Sequence, residues 1–291
     1  MIDINGTTRV CGLIGNPVGH SISPVIHNSL AQLMDMNMVY TTFKVEKGDV
    51  VTAVNGAYAL NILGLNVTVP HKQAVMESLV DIDPLAKAIG AVNTLVRTDK
   101  GYKGYNTDIL GLERELIDEG VVLLDGSRCV ILGAGGAARA IAFLCAKSGA
   151  KEIYMLNRTK EKAYDIAKAV NDYFGKECIK PMLISEYDKL EADDYVVIQT
   201  TSVGLYPNVD DVVIDDEAFY KKVKVGVDII YNPSETRFMK MCKNAGKPAC
   251  NGLKMLLYQG VAAYELWNDV SVTKEQADKV YNKMKEELGI E

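Results

Sequence analysis

Three small residues in the segment "GAGGAA", positions 133 to 138, have types and a spacing that suit the binding of a dinucleotide. Gly133 permits a tight turn, Gly135 lets the backbone approach a pyrophosphate, and Ala138 lets a helix pack closely on a strand. The segment follows the apolar run "CVILG" and opens "ARAIAFLC", which predicts a strand, a turn and a helix N-terminus that offers N–H groups to phosphates. We expect a dinucleotide site here; a Gly-rich turn that binds nothing is the alternative.

The end of the next predicted strand indicates which dinucleotide would bind. Sites that prefer NAD usually place an acid there, whose carboxylate accepts hydrogen bonds from the ribose hydroxyls. This strand ends in Asn157, Arg158 and Thr159, none of which is acidic. A guanidinium is able to stack on adenine and to pair with a 2′-phosphate. The sequence therefore favours NADP, with Arg158 as the main cation and Lys162 in support, although Lys162 fits a solvated surface lysine equally well.

Polar residues also stand at the ends of predicted strands in the first part of the chain. Asn66 and Thr68 alternate along "NVTVPHK" and so point the same way, and Lys72 follows just past the proline. Asn93 in "GAVNT" and Asp108 in "GYNTD" lie at other strand ends. Proteins of the α/β class bind ligands at such ends. We expect a ligand site there, although Lys72 alone also fits a surface lysine at a helix start.

Two hydroxyl residues separated by one residue, Ser21 and Ser23, lie in the segment "GNPVGHSISPVIHN" at positions 15 to 28. Ser23 before Pro24 is typical of an N-cap followed by proline at the first helical position. Ser21 has no capping role in this interpretation, and in an extended approach both side chains point to one side. A helix N-terminus also attracts carboxylates, so the pair could both start a helix and bind an anion.

The elements that must position these residues alternate between short apolar runs and amphipathic ones. We predict strands at 9–15, 39–45, 65–70, 91–97, 101–106, 195–200 and 223–230. Residues 128–158 read as one strand–helix–strand unit, which implies a parallel sheet. The last forty residues read as helices. The fold class is therefore α/β, with a first α/β domain and a second, doubly wound domain of the Rossmann type.

Composition excludes several classes of protein. The chain has 291 residues, 48% apolar and 24% charged, which is typical of a globular protein of two domains. Its net charge of −6, with both signs interspersed, argues against a nucleic-acid or membrane partner. No run approaches the roughly 20 apolar residues of a membrane span. A small-molecule substrate is the expected partner.

The cysteines and histidines predict neither a disulfide scaffold nor a metal site. The six cysteines are scattered without a C-x-x-C pair, so we interpret them as reduced. The N-terminus has no cationic segment followed by an apolar one, and we expect a cytoplasmic protein. The three histidines, His20, His27 and His71, have no accompanying carboxylate or cysteine spacing, and no metal is expected.

Taken together, these motifs resemble those of the shikimate/quinate dehydrogenase family. The matching segments run in the family's order from residue 12 to 267 and include "GNPVGHSISPVIHN", "NVTVPHK", "GAVNT", "GYNTD", "GAGGAAR", "NRT", "TTSVGL", "DIIYNPSET" and "NGLKMLLYQG". The resemblance implies NADP-dependent interconversion of 3-dehydroshikimate and shikimate in chorismate and aromatic amino-acid biosynthesis. It also implies that the C-terminal helices return to the first domain. The domains would then be 1–107 plus 252–291 for substrate binding and catalysis, and 108–251 for NADP.

The same resemblance implies roles for individual residues. Lys72 and Asp108 match the family's catalytic pair. The residues matching its substrate-binding groups are Ser21 and Ser23 for the carboxylate, with Tyr231 near that end, and Thr68, Asn93, Asp108 and Gln259 for the ring hydroxyls. Lys72 is also among the expected substrate-binding residues. Those matching its NADP side are Gly133, Gly135, Gly136, Ala137, Asn157, Arg158, Thr159 and Lys162, with Thr201, Gly252 and Met255 near the nicotinamide. Lys254 departs from the family pattern, in which a small residue or proline is expected.

The chemistry of an alcohol dehydrogenase is consistent with these roles. Hydride transfer from an alcohol leaves a carbonyl only if the hydroxyl proton also departs, so an acid–base group must stand at that oxygen. A carboxylate beside a lysine favours the ammonium form. We therefore expect Lys72 to be largely protonated at rest and to donate to the alkoxide during ketone reduction, with protons shared across the coupled pair.

Two other functions remain open at the level of sequence. A quinate or dual-specificity dehydrogenase that uses NAD is disfavoured by "NRT", which lacks the strand-end acid, and by serine rather than threonine at position 23. A catalytically silent regulator on the same fold is disfavoured because Lys72 and Asp108 are both present and no basic face stands out. The oligomeric state could be a monomer or a homodimer.

Overall fold

The computed structural model describes residues 4–121 and 126–290, which form two compact units. The first unit comprises Met1–Gly111 and Leu256–Glu291, and the second comprises Leu112–Met255. Each unit contains one six-stranded sheet. The expected α/β class and the return of the C-terminal helices to the first unit are confirmed.

The sheet of the first unit is mixed, with strand order β2-β1-β3-β5-β6-β4. Its strands are β1 (Arg9–Gly15), β2 (Met38–Lys44), β3 (Gly64–Val67), β4 (Asp81–Ile82), β5 (Thr94–Thr98) and β6 (Gly101–Tyr105). β1 pairs in parallel with β2 and β3, whereas β5 runs antiparallel to both β3 and β6. All four residues of β3 are buried, which is why this apolar run forms a central strand.

Helices and the last part of the chain cover this sheet. The helices of the first unit are α1 (Ser23–Leu33), α2 (Val50–Ala59), α3 (Pro84–Ile89) and α10 (Lys274–Leu288), while α4 (Asp108–Asp118) and α9 (Leu253–Asn268) contain the boundaries between the units. The Trp267 indole lies against Gly64 so closely that a Cβ there would collide with the ring. The predicted capping box of α10, between Thr273 and Gln276, is confirmed.

The sheet of the second unit is entirely parallel, with strand order β12-β11-β10-β7-β8-β9. Its strands are β7 (Arg128–Leu132), β8 (Glu152–Asn157), β9 (Ile179–Leu183), β10 (Tyr195–Gln199), β11 (Val223–Asp228) and β12 (Ala249–Asn251). Its helices are α5 (Gly136–Lys147), α6 (Lys160–Phe174), α7 (Glu217–Lys221) and α8 (Arg237–Asn244). The order reverses between β7 and β10, which is the switch point where doubly wound sheets bind ligands.

No helix in the described parts of the chain is both long and apolar enough to cross a membrane.

Candidate active site

One edge of the first sheet gathers the polar residues that follow its strands. β1, β3 and β6 end at this edge, and the antiparallel β5 begins there, since Ile14 pairs with Val67 and Thr94 pairs with both Asn66 and Tyr105. The segments that carry Ser21, Lys72, Asn93 and Asp108 all leave or enter the sheet at this edge. The strand pairing thus places at one edge of the sheet segments that are far apart in the sequence.

Lys72 and Asp108 form an ion pair at this edge. The Lys72 Nζ donates to Asp108 Oδ2 at 2.7 Å, and the Asn93 Nδ2 donates to the other carboxylate oxygen, Oδ1, at 2.8 Å. The two charged side chains keep 32% and 17% of their surface exposed, so the pair is partly shielded yet open to a ligand. Asn106 fixes the start of α4, because its Oδ1 accepts from the Asp108 N–H at 3.1 Å. A positioned ammonium beside a held carboxylate is able to transfer a proton.

The two serines lie at the start of α1, but their roles differ from the prediction. The helix has Ile22 as its N-cap, so Ser23 is its first residue and Pro24 its second. Within the described residues the N-cap side chain makes no hydrogen bond to this helix, and the prediction that Ser23 would be the N-cap is wrong. Instead, Ser21 Oγ accepts from the Ser23 N–H at 3.2 Å and lies 3.1 Å from Ser23 Oγ. The structure therefore brings the two hydroxyls together, with Ser21 as the one that stabilises the turn.

Three other candidate residues differ in how the structure places them. Thr68 stands directly after β3 and packs on Gly15, where a Cβ would collide with the Thr68 methyl group. Gln259, on α9, donates from Nε2 to the Leu256 carbonyl at 2.9 Å. It makes no hydrogen bond to Lys72, Asp108 or Asn93. Tyr231 belongs to the second unit, follows β11 and is half-buried; burial raises the pKa of its hydroxyl.

Two of the three histidines are structural. His27 is fully buried and stacks on Tyr40 with ring centroids 4.1 Å apart, and burial lowers its pKa to about 3. His71 is also buried, with Nε2 2.8 Å from the Val45 carbonyl oxygen. Among residues 4–121 and 126–290, no group of three or more His, Cys, Asp or Glu side chains is placed to hold a metal ion.

In the second unit, the Gly-rich turn joins β7 to α5 as predicted. Gly133 has φ +110°, and a Cβ there would lie 2.7 Å from Thr200 Oγ1 and 2.8 Å from Thr201 Cγ2. Gly135 is the N-cap of α5 and supplies no side-chain cap, and in the described part of the chain no atom lies within 4 Å of where a Cβ of Gly135 or Gly136 would stand. The first turn of α5 thus presents backbone N–H groups to open space, as a pyrophosphate site requires.

The end of β8 fits a phosphate better than a ribose diol. Asn157 closes the turn by donating from Nδ2 to the Thr159 carbonyl at 2.8 Å, and Thr159 is the N-cap of α6 without using its hydroxyl as a cap. Arg158, Thr159 and Lys162 are exposed. Arg158 and Lys162 form no ion pair with any residue that the structure describes. The two cations are therefore available to an anion at this strand end.

A buried polar group behind the loops that follow β10 and β11 was not predicted from the sequence. The Asp228 carboxylate is fully buried and accepts from Thr236 Oγ1 at 2.7 Å and from the Ile230 N–H at 3.0 Å. Burial raises its pKa to about 6. Gln199 Oε1 accepts from the Thr201 N–H at 2.5 Å and so holds that loop. The signal was present as a polar residue near the end of each of two apolar strands, Gln199 in "YVVIQT" and Asp228 in "VKVGVDII".

Lys254, the residue that departs from the family pattern, has a local role in the second unit. Its Nζ lies 2.7 Å from Asp118 Oδ2 and 2.5 Å from Glu119 Oε1, so it ties the first turn of α9 to the end of α4. Burial acts to lower the pKa of Lys254, but the two carboxylates outweigh it and hold that pKa above its usual value. Just before it, Gly252 packs directly on the Ile229 backbone, where a Cβ has no room.

Comparisons with known proteins agree with both halves of this description. Residues 13–95 match the family model for the shikimate dehydrogenase substrate binding domain, and residues 115–237 match that for shikimate / quinate 5-dehydrogenase. The chain is 42% identical over 265 residues to the shikimate dehydrogenase (NADP(+)) of Desulforamulus reducens, covering 91% of each chain.

Solved structures give the same result. A shikimate dehydrogenase in complex with NADP+ has a TM-score of 0.87 and 38% identity, with 97% of each chain covered. The shikimate 5-dehydrogenase of Listeria monocytogenes, in complex with shikimate and NAD, has a TM-score of 0.87 and 30% identity, with 98% of each chain covered. This chain belongs to the shikimate dehydrogenase family.

Proposed function

We propose that this protein is an NADP-dependent shikimate dehydrogenase that reversibly reduces 3-dehydroshikimate to shikimate, a step in chorismate and aromatic amino-acid biosynthesis. The observation that carries the proposal is the Lys72–Asp108 pair, with Nζ 2.7 Å from Oδ2 and the carboxylate held by Asn93. A regulator that only senses a ligand has no need of an acid–base pair oriented in this way. The family of the chain and the names of its relatives give independent support.

The substrate side of the site follows from the edge of the first sheet. Ser21 and Ser23, with hydroxyls 3.1 Å apart at the start of α1, would bind the substrate carboxylate. A helix N-terminus favours a carboxylate at that position. Tyr231, in the second unit, stays a substrate-binding candidate from the family resemblance. The groups that would bind the ring hydroxyls are Thr68, Asn93, Asp108 and Gln259. A carboxylated polyol matches this combination of hydroxyl, amide and carboxylate groups.

The acid–base step follows from the two charged residues. Lys72 Nζ, as an ammonium, donates one proton to the alkoxide oxygen that forms at the reduced carbonyl, and in the reverse direction it takes that proton back. Asp108 stabilises the ammonium and orients it, since its Oδ2 accepts from Nζ while Oδ1 is occupied by Asn93. NADP, when bound, supplies the hydride donor or acceptor.

The second unit would hold the cofactor. The N–H groups at Gly135, Gly136 and Ala137 would bind the pyrophosphate, and the Gly133 turn gives them access. Arg158 and Lys162 would bind the 2′-phosphate, assisted by Asn157 and Thr159 at the end of β8. Thr201, Gly252 and Met255 would line the nicotinamide side. The absence of an acid among Asn157, Arg158 and Thr159 supports NADP over NAD.

The domain roles and the cellular setting are also proposals. The substrate and catalytic domain would comprise 1–107 plus 252–291, and the cofactor domain 108–251. Cytoplasmic action is supported by six free cysteines, four of which are buried. The oligomeric state, a monomer or a homodimer, stays a prediction for solution measurements.

The test is a rate measurement at 340 nm with the purified chain. Shikimate with NADP should reduce the cofactor rapidly, and the three other pairings of shikimate or quinate with NADP or NAD should have lower kcat/KM. A preference for quinate with NAD would overturn the choice of substrate and cofactor. No turnover with any pairing would instead favour a silent sensor.

A further inference from the structure

A chain of hydrogen bonds runs through the core of the first unit and ends at the Asp108 carboxylate. Its inner members are Tyr40, Asn66, Thr94 and Thr107, all of them at least nine-tenths buried. Of these four residues, only Asn66 was predicted from the sequence to lie near a ligand site. Buried polar groups are costly unless every donor and acceptor has a partner, so a network at this place needs an explanation.

One end of the network is fixed by a backbone carbonyl. Asn66 Nδ2 donates to the Asn93 carbonyl oxygen at 3.3 Å and to Thr94 Oγ1 at 3.1 Å. Because a carbonyl oxygen only accepts, the Asn66 amide has one orientation, with Oδ1 turned to the Tyr40 hydroxyl at 2.8 Å. Thr94 Oγ1 therefore accepts a hydrogen bond from Asn66, and its own O–H is left to donate toward Asn93 Oδ1 or Thr107 Oγ1.

The other end is fixed by a backbone N–H. Asn93 Oδ1 accepts from the Thr107 N–H at 2.7 Å, and the hydroxyls of Thr94 and Thr107 lie 3.1 Å and 3.2 Å from the same oxygen. An N–H only donates, so Asn93 must turn Oδ1 inward and Nδ2 outward to Asp108 Oδ1. With Oδ1 occupied in this way, Asp108 offers Oδ2 to Lys72.

We propose that Thr94 and Thr107 are positioning residues, whose hydroxyls hold the Asn93 amide so that Asp108 is aligned with Lys72. The proposal rests on the proposed function. If the Asn93 side-chain amide were rotated by about 180°, its oxygen would face Asp108 Oδ1, and the two acceptor oxygens would repel each other. The two hydroxyls favour the productive orientation, and Thr94 contributes more, because its oxygen also accepts from Asn66 Nδ2 and is thereby held in place beside Asn93 Oδ1.

The test compares two substitutions at Thr94 that change different atoms. Thr94→Val preserves the shape of the side chain and removes the hydroxyl, whereas Thr94→Ser preserves the hydroxyl and removes a methyl group. A positioning role predicts that kcat/KM for shikimate falls by about tenfold or more in Thr94→Val, as expected for a lost buried hydrogen bond, and by much less in Thr94→Ser. A packing role predicts the reverse order.

Matched variants separate this effect from general damage. Thr98→Val makes the same change on the same strand, at an exposed hydroxyl that donates to the Gly101 carbonyl, and should leave kcat/KM unchanged. Thr107→Val should lower kcat/KM by less than Thr94→Val does. If Thr94→Val does not fold, Thr107→Val provides the same test. Binding of NADPH, followed by its fluorescence, should be the same in every folded variant.

The outcomes distinguish this proposal from the function on which it rests. An active wild-type chain in which the valine variants are as active as the serine variant, or more so, would overturn the positioning role and leave the function intact. A wild-type chain without turnover would overturn both.

Discussion

At the scale of the residue, the ion pair between Lys72 and Asp108 is the feature whose removal should cost most. Lys72→Ala removes the proton donor and leaves the hydroxyl-binding groups in place. We expect kcat to fall by at least about a hundredfold, which is typical of general acid–base catalysis, with a smaller change in KM. Steady-state rates with shikimate and NADP measure both quantities.

A lysine outside the site provides the control for this prediction. Lys47→Ala makes the same change at an exposed position of the first unit and should leave kcat and KM as they are. A Lys72→Ala enzyme that kept a near-wild-type kcat would contradict the proton-transfer role.

The serine pair shows what a residue pattern was able to predict and what it was not. The sequence placed Ser21 and Ser23 together at a helix start, and the structure confirms this. It also placed the N-cap one residue too late, at Ser23 rather than Ile22. The reason is physical: the first N–H groups of a helix lack partners, so a proline is tolerated at the second helical position as well as the first.

At the scale of the element, the end of α4 and the start of α9 enclose an unusual carboxyl group. Glu115 is only 1% exposed, and no side chain among the described residues donates a hydrogen bond to its carboxyl oxygens. Burial raises its pKa to about 8. Glu119 and Asp118 add to this rise, whereas Lys254 and the nearby Met255 N–H act against it.

Glu115 should therefore make the stability of the protein depend on pH. Between its usual pKa of 4.5 and about 8, the folded state holds one more proton than the unfolded state. Over that range its contribution to the free energy of unfolding should fall by about 1.4 kcal/mol per pH unit. Glu115→Gln stays neutral at every pH, so it should gain stability relative to wild type as the pH rises from 5 to 8.

Denaturant unfolding of both proteins at pH 5.5 and pH 8 tests this prediction. Glu191→Gln, at an exposed position of the same unit, is the control and should show no such trend. A difference between Glu115→Gln and wild type that is the same at both pH values would contradict the buried ionisation.

Hydrophobic periodicity explains why the buried strands were predictable and the burial of Glu115 was not. The runs from 9 to 15 and from 195 to 200 became buried strands because apolar side chains filled both faces of each sheet. On α4 hydrophobicity does not predict burial, since Glu115 is buried while Ile117 is 73% exposed. A single carboxyl whose burial depends on β12 and α9 leaves no periodic signal within its own helix.

At the scale of the whole molecule, the proposed cofactor and substrate residues are divided mainly between the two units. Arg158 lies in the second unit, whereas the acid–base pair lies in the first. Arg158→Ala should lower kcat/KM for NADP by about tenfold or more, because it removes a charged hydrogen bond to the 2′-phosphate. The kcat/KM for NAD and the KM for shikimate at saturating cofactor should change little.

The control for this prediction is Lys151→Ala, which removes an exposed cation near the opposite end of β8. It should leave the preference between NADP and NAD unchanged. If Arg158→Ala lowered kcat/KM equally with NADP and with NAD, the assignment of a 2′-phosphate site would be contradicted.

The second unit was more predictable as a whole than the first. One strand–turn–helix–strand motif implied a parallel sheet, and the structure has all six of its strands parallel. In the first unit the antiparallel placement of β5 between β3 and β6 gave no comparable motif. That placement nevertheless brings Asn93 to the edge where Lys72 and Asp108 lie, so part of the candidate site depended on pairing between distant segments.

The first unit is assembled from both ends of the chain, and this has a consequence for the time course of synthesis. Leu256–Glu291 belongs to the same unit as Met1–Gly111, and Trp267 and α10 pack against Gly64 and α1. On a ribosome, the continuous second unit can complete its sheet while the first still lacks α10 and most of α9. The part of the protein that is made first is therefore the part that is finished last.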